Sequence, residues 1–261
     1  MTHRTKFRLR CLLAFLVLLL LVRTAPAADE VRVMTSGAFT AAHQALAQEF
    51  ERTTGRTVVT IYGASMGSGE TTIPRRLERG EAADVVILAK SALDDLAARG
   101  LVLADTRVDL VRSSIAMAVR TGAARPDIST IDQLTRTLLQ ARAIGYSSSA
   151  SGTYLVTELF PRLGVADAVR GRLKVSEGAV GPLIASGEVD IGFQQLSELL
   201  AVPGIDIVGP LPAGAQRVTV FSAAIVRGAR NPDAARALLL FYGSAAAAPT
   251  ILRTGLEPLR K

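Results

Sequence analysis

The stretch 57–89, TVVTIYGASMGSGETTIPRRLERGEAADVVILA, leaves this chain few folds to choose from. A β-branched run holding Val58, Val59 and Ile61 stops at Gly63, and Gly and Ser dominate the loop as far as Gly69. An amphipathic segment with Ile73 and Leu77 on one face follows, and the apolar run 84–89 comes soon after Gly80. Strand, small-residue loop, helix, strand is a βαβ unit, and such units build parallel sheets that hold ligands at the carboxyl ends of their strands. The fold class is therefore α/β, and the loop 63–69 reads as half of a ligand site beside a helix start, where free N–H groups favour anions.

The loop's chemistry can be narrowed further. Gly63-Ala-Ser65-Met-Gly67 is a literal G-x-S-x-G, the nucleophile elbow of α/β-hydrolases, and it sits between strand and helix as that motif requires. Such an enzyme needs a His after its Ser, but His3 and His43 both precede Ser65, so a serine hydrolase using Ser65 is the least favoured reading. A P-loop fails on Glu70, which stands where Lys belongs, and a dinucleotide fingerprint starting at Gly67 meets Thr72 in place of its third Gly. Hydroxyls and backbone amides remain, and these bind rather than react.

The amino terminus has a separate character. Arg4, Lys6, Arg8 and Arg10 precede an apolar run from Cys11 to Val22, and Ala25-Pro26-Ala27 supplies the small residues of a cleavage site. Residues 1–27 thus read as a cleavable signal peptide, too short for a comfortable membrane span, and the mature protein is expected in the periplasm. The leader holds five of the 30 Lys+Arg and none of the 23 Asp+Glu, so its removal lowers the net charge from +7 to +2. No basic cluster interleaved with aromatics survives, and nucleic acid is not an expected partner. The single Cys leaves with the leader and one His remains, so no disulfide, thiolate nucleophile, metal centre or cofactor is expected.

In chain order, 31–34 reads as a strand feeding the turn Thr35-Ser36-Gly37-Ala38, and 39–53 as a helix ended by Gly55. His43 falls beside that helix's apolar face, at the surface or half buried. Ser129 or Thr130 caps a helix through Leu139. The strand 143–146 hands Ser147-Ser-Ser-Ala-Ser151-Gly152-Thr153 to a helix with Leu155, Leu159 and Phe160, the third strand to deliver small polar residues to a helix start. A segment at 177–181 precedes a short helix, the strand 188–193 has Gln194 and Gln195 at its end, and Asn231 caps the helix 233–243. The runs 113–120 and 216–226 read as two passages between lobes. They divide the mature chain into a first lobe of 28–112 plus 222–261 and an inserted second lobe of 113–221. Hydroxyl-rich loops on both lobes imply a cleft that closes on a small solute.

Three runs carry a family resemblance: A-A-x-x-A-L-A-x-x-F at 41–50, R-R-L-E-R-G-E-A-A-D at 75–84 and G-E-V-D-I-G-F at 187–193. Nearly the whole mature chain resembles the periplasmic solute-binding proteins of ABC importers, in the branch typified by molybdate-binding protein. The resemblance implies a two-lobed type II periplasmic-binding-protein fold, each lobe a mixed sheet flanked by helices, joined by two hinge strands. It implies a monomer that is not an enzyme: a small anion, a molybdate- or tungstate-like oxyanion, is captured between the lobes and delivered to an ABC permease in the inner membrane. It places ligand contacts at Ser36, Gly37 and Ala38 in the first lobe, with Ser65, Gly67 and Ser68 after the second strand. In the second lobe it places them at Ser151, Gly152, Thr153 and Glu177, and Gln195 stands where the branch has a Tyr. Ser65 and Ser68 are expected to be hydrogen-bond donors facing a wet cleft. A small carboxylic acid held by amides and Gln195 stays open as the ligand, as does a periplasmic sensor that feeds no transporter.

Overall fold

Alternation in β1 (Glu30–Thr35) decides the first lobe: Val31 and Val33 enter one apolar core and Met34 the other. A parallel strand has helices on both faces, so its neighbours must carry apolar residues on both sides too. The computed structural model describes residues 30–259, and the signal-peptide reading of 1–27 lies outside the described residues. After a single 3-10 turn (Gly37–Phe39), α1 (Thr40–Thr54) buries Ala42, Leu46 and Phe50 and stops at Gly55, whose φ of 73° suits glycine. β2 (Thr57–Tyr62), α2 (Ile73–Glu78), β3 (Val85–Ala89) and α3 (Lys90–Ala98) follow. All five residues of β3 are buried, with Val85, Ile87 and Ala89 on the first face and Val86 and Leu88 on the second. β2 and β3 flank β1 in parallel, as the βαβ reading requires.

After β4 (Val108–Ser113) the chain enters a second sheet, built from β5 (Ile115–Arg120), β6 (Ile144–Ser147), β7 (Leu173–Ser176), β8 (Ile191–Gln195) and β9 (Ile205–Pro210). Its order is β7-β6-β8-β5-β9. α4 (Ile131–Gln140) and the helical run opened by α5 (Ala150–Tyr154) pack on Ile115, Met117 and Val119. α6 (Gly181–Ala185) and α7 (Leu196–Leu200) cover Ala116 and Ala118 on the opposite face. β10 (Thr219–Ile225) then returns to the first sheet, followed by α8 (Pro232–Tyr242), α9 (Ala248–Arg253) and β11 (Glu257–Pro258). The first sheet runs β11-β4-β10-β3-β1-β2, with β10 antiparallel to both β3 and β4. Both sheets are mixed and flanked by helices, which is the two-lobed type II fold.

Several local expectations need correction. β5 belongs wholly to the second sheet and β10 wholly to the first, so most of 113–120 and of 216–226 is sheet and not passage. The passages are short, and Gln216 ties them: Oε1 accepts the Ile115 N–H and Nε2 donates to the Ile115 carbonyl, both at 2.9 Å. Thr130, not Ser129, caps α4, accepting the Gln133 N–H at 3.2 Å. Asn231 occupies the cap position of α8 without a side-chain cap bond. Asp84 holds the turn that leads into the helix, its Oδ1 accepting the N–H groups of Arg230 and Asn231 while Oδ2 accepts that of Arg32.

His43 is not at the surface; it is fully buried between α1, β2 and α8. Its ring contacts Thr60 Oγ1 through Nε2 at 2.7 Å and the Tyr242 hydroxyl through Nδ1 at 2.9 Å. Burial disfavours the imidazolium and lowers the pKa to about 4. Between pH 6.5 and 4 the unfolded chain therefore takes up a proton that the folded protein refuses, and stability falls as pH drops through that window, by on the order of 3 kcal/mol. His43→Asn is expected to weaken the protein at pH 7.5, and wild type's advantage over it should shrink at pH 4.5, measured by urea unfolding.

Candidate functional site

Parallel strands direct the loops that matter to one edge of each sheet, and the two edges face each other. β1 supplies Ser36 and Gly37, β2 supplies Gly63 to Ser65, β6 supplies the serine loop, and β8 supplies Gln194 and Gln195. Between them lie two adjoining cavities. The outer, of about 510 Å³, is walled by Thr40, Gln44 and Tyr62 from the first lobe and by Glu177, Gln194 and Val202 from the second. The inner, of about 10 Å³, is the size of a single water and is bounded by Ser36, Ser65, Ser151, Gln195 and Phe221. Two buried polar atoms at the inner cavity, Ser36 Oγ and Gln195 Oε1, have no hydrogen-bond partner among the described residues. Buried groups of that kind call for a ligand or water atom.

Of the residues expected from sequence, Ser36, Gly37, Ala38, Ser65, Ser151 and Gln195 come together around the inner cavity, and Gly37 and Glu177 line the outer one. Ser65 does not face a wet cleft: it is fully buried, and its Oγ accepts the Ala89 N–H at 2.9 Å, tying the loop to the end of β3. Gly67 and Ser68 are exposed and line neither cavity; Gly67, at φ 117°, passes close to Ser148 of the other lobe. Gly152 packs beneath the loop, where a Cβ would fall 1.7 Å from the Ser147 carbonyl oxygen. Thr153 points to a separate hollow shared with Lys90 and Arg217.

The sequence reading missed Glu198. It sits in the first turn of α7 and borders both cavities at their junction. A first-turn acid is an ordinary helix residue, so nothing local marks it; what marks it is that α7 packs on the turn 37–39 of the other lobe. A Cβ on Gly37 would lie 2.1 Å from Glu198 Oε2, so the missing side chain is what admits the carboxyl. Gln194 Nε2 donates to Oε2 at 2.6 Å. Desolvation dominates over that hydrogen bond and pushes the pKa up to about 8. Among the described residues no Lys, Arg or His lines either cavity to draw it back. Ser197 Oγ donates to the Ala38 carbonyl at 2.8 Å and Gln195 Nε2 to Thr219 Oγ1 at 3.2 Å, so residues flanking Glu198 bridge the lobes.

Such a group has a stability signature. Across pH 4.5 to 8 the folded protein keeps a proton on Glu198 that the unfolded chain has lost, so stability falls as pH rises through that window. Glu198→Gln removes the linkage. Its stability relative to wild type is expected to rise by about 4 kcal/mol between pH 5 and pH 8, measured by urea unfolding at both values.

Comparison with known proteins places this geometry. Residues 31–257 match the family described as bacterial extracellular solute-binding protein. An aconitate isomerase from a Pseudomonas species is 46% identical over 228 residues, covering 87% of each chain. Among solved structures, the periplasmic molybdate-binding protein of Azotobacter vinelandii superposes with a TM-score of 0.70 at 21% identity, over 87% of this chain and 98% of that one. The binding protein AgtB of A. tumefaciens R10, in complex with agropinic acid, superposes with a TM-score of 0.65 at 16% identity, over 87% and 83%. One fold thus serves both an inorganic oxyanion and an organic acid. With nearly every described residue inside the family match, this chain belongs to the bacterial extracellular solute-binding proteins.

Proposed function

We propose that the interlobe cleft binds a small unsaturated polycarboxylate and isomerises it, interconverting the geometric isomers of aconitate. The observation that carries this reading is the 46% identity to an aconitate isomerase along 228 residues, a span that takes in both lobes and every loop of the cleft. The lining supports it. Hydroxyl and amide groups accept a carboxylate without a permanent cation, and an acid that is largely protonated at neutral pH stands beside an anion without repelling it. The 510 Å³ outer cavity suits a branched organic acid better than a compact tetrahedral dianion.

The chemistry is modest in its needs. In an acid whose double bond and methylene share one carbon, moving a proton from the methylene to the far vinyl carbon shifts the double bond by one position. The geometry of the new double bond is set by how the former methylene arm was held. Closed lobes hold that arm and exclude water from the intermediate anion.

Family membership favours a second reading, capture without turnover and delivery to an ABC permease, with an oxyanion or a carboxylate as cargo. One experiment separates them. Purified protein lacking residues 1–27 is incubated with trans-aconitate and followed by proton NMR, alongside a thermal-shift screen of molybdate, tungstate and small carboxylates. Appearance of the cis isomer, with stabilisation by tricarboxylates, is the expected result. Stabilisation by aconitate with no cis isomer would assign carriage, and a shift with molybdate alone would assign oxyanion capture. At a hundredfold excess over Kd, a ligand specific to the folded state adds about 2.7 kcal/mol.

A further inference from the structure

We infer that Glu198 is the catalytic acid–base of this isomerisation, one carboxyl serving both proton transfers, and that Gln194 is the positioning residue that assigns the task to a single carboxyl oxygen. The inference rests on the isomerase reading above.

Position comes first. Among the described residues, Ser149 and Glu198 are the side chains with a proton to move that border both the inner and the outer cavity, and only Glu198 is a carboxyl, the type that desolvation brings to titrate near neutral pH. The other candidates are otherwise disposed. Glu177 is exposed and lines only the outer wall. Tyr62 stands at the exposed rim with its hydroxyl accepting from Gln44 Nε2 at 3.0 Å. Ser65 is committed to the Ala89 N–H. A reaction needing two proton transfers therefore finds one suitable group, and one group suffices if both carbons present the same face to it.

Gln194 defines which oxygen acts. The orientation of its amide is fixed, because Oε1 accepts the buried Val180 N–H at 2.8 Å. Nε2 must then donate, and it does so to Glu198 Oε2 at 2.6 Å and more weakly to the Gly178 carbonyl at 3.4 Å. Oε2 is held as an acceptor by Gln194 and lies in the space that a Gly37 side chain would fill. No described protein group hydrogen-bonds Oε1, which leaves that oxygen to carry the exchangeable proton.

The step balances without a co-reactant. Ionised Glu198 takes a proton from the ligand methylene; the C–H bond breaks, an O–H bond forms on Oε1, and the electron pair spreads over the three-carbon system into the flanking carboxylates. The same O–H then delivers its proton to the opposite terminal carbon, the double bond settles in the shifted position and Glu198 is ionised again. Nothing is oxidised or reduced. A carboxyl whose pKa is close to the working pH is well matched to give and take the same proton.

The pH dependence follows from the surroundings. The elements packed against α7 carry His43, Glu49, Glu51 and Arg52 on α1, Arg120 on β5 and Asp206 on β9. None of these lines the cleft: His43 is bound to Thr60 and Tyr242, Glu51 accepts the Val58 N–H, and Asp206 pairs with Arg125. Glu177 and Tyr62 are the titratable groups that share the cleft with Glu198. Because the carboxylate is the form that starts the cycle, kcat/KM should rise tenfold per pH unit below a midpoint near 8.

The test uses the protein lacking residues 1–27, with trans-aconitate as ligand and three readouts: calorimetric binding, isomerisation, and transfer of deuterium from the labelled ligand methylene to its far vinyl carbon. Glu198→Gln is expected to bind within about threefold of wild type but to lose isomerisation and deuterium transfer by on the order of 10²–10⁴-fold. Gly37→Ala, which displaces the carboxyl while keeping it, should suffer a loss of the same kind. Gln194→Met removes a donor that favours the carboxylate, so the pH midpoint should move up by about one unit, a shift that a merely structural residue would not produce. Wild-type turnover retained in Glu198→Gln would overturn the assignment and leave the isomerase reading standing. Binding without turnover in wild type would overturn both. An unmoved midpoint in Gln194→Met would remove the positioning role.

Discussion

The direction of six strands governs what this molecule can do. β1, β2 and β3 run parallel in one sheet, and β6, β7 and β8 run parallel in the other, so each sheet gathers its outgoing loops at a single edge. A site assembled in this way asks little of any one loop: each contributes a hydroxyl, an amide or a carboxyl, and the sheets supply the register. The antiparallel insertion of β10 between β3 and β4 returns the chain to the first lobe without disturbing that edge. The cores behind the edges are built by plain alternation, with Val31 and Val33 on one face of β1 and Met34 on the other.

Across the cleft the electrostatics run in one direction. Among the described residues the lining has two carboxyl groups and no cation, and the inner cavity is small and closely walled, with Ser36 Oγ and Gln195 Oε1 buried at it. Electrostatic interactions strengthen in such surroundings, so partial charges on hydroxyls and amides count for more than they would in water. The same surroundings keep Glu198 protonated. A neutral acid is a hydrogen-bond donor, which makes it a suitable neighbour for an anion and, after ionisation, a base of useful strength.

Much of the architecture could be read from residue patterns, because strand alternation, helix amphipathicity and Gly stops are local signals. The strand 57–62, the glycine-rich loop, the strand ending at Ala89 and the αL stop at Gly55 all lie where those signals put them. β4 escaped because Asp109 and Arg112 interrupt its apolar run, and β11 because two edge residues leave no pattern. The site was legible only in part, for a physical reason. Ser65 and Ser68 look alike in sequence, yet the free N–H of Ala89 claims the first and leaves the second exposed. His43 looks like a surface helix residue until Thr60 and Tyr242 close around it. Glu198 is an ordinary first-turn acid until the fold buries its carboxyl against Gly37, remote in the chain. Desolvation is a property of assembled surfaces, and no window of sequence contains it.

The contact between Gly37 and Glu198 also crosses from one lobe to the other. Gly37 follows β1 in the first sheet and Glu198 follows β8 in the second, so part of what covers the carboxyl is carried by the opposite lobe. Parting the lobes would rehydrate Glu198 and return it toward an ordinary glutamate, which releases its proton at neutral pH. Lobe closure and proton uptake are then two aspects of one equilibrium: each tenfold rise in proton concentration between those two pKa values favours the shut form by about 1.4 kcal/mol. A molecule arranged in this way samples its bathing acidity each time it breathes.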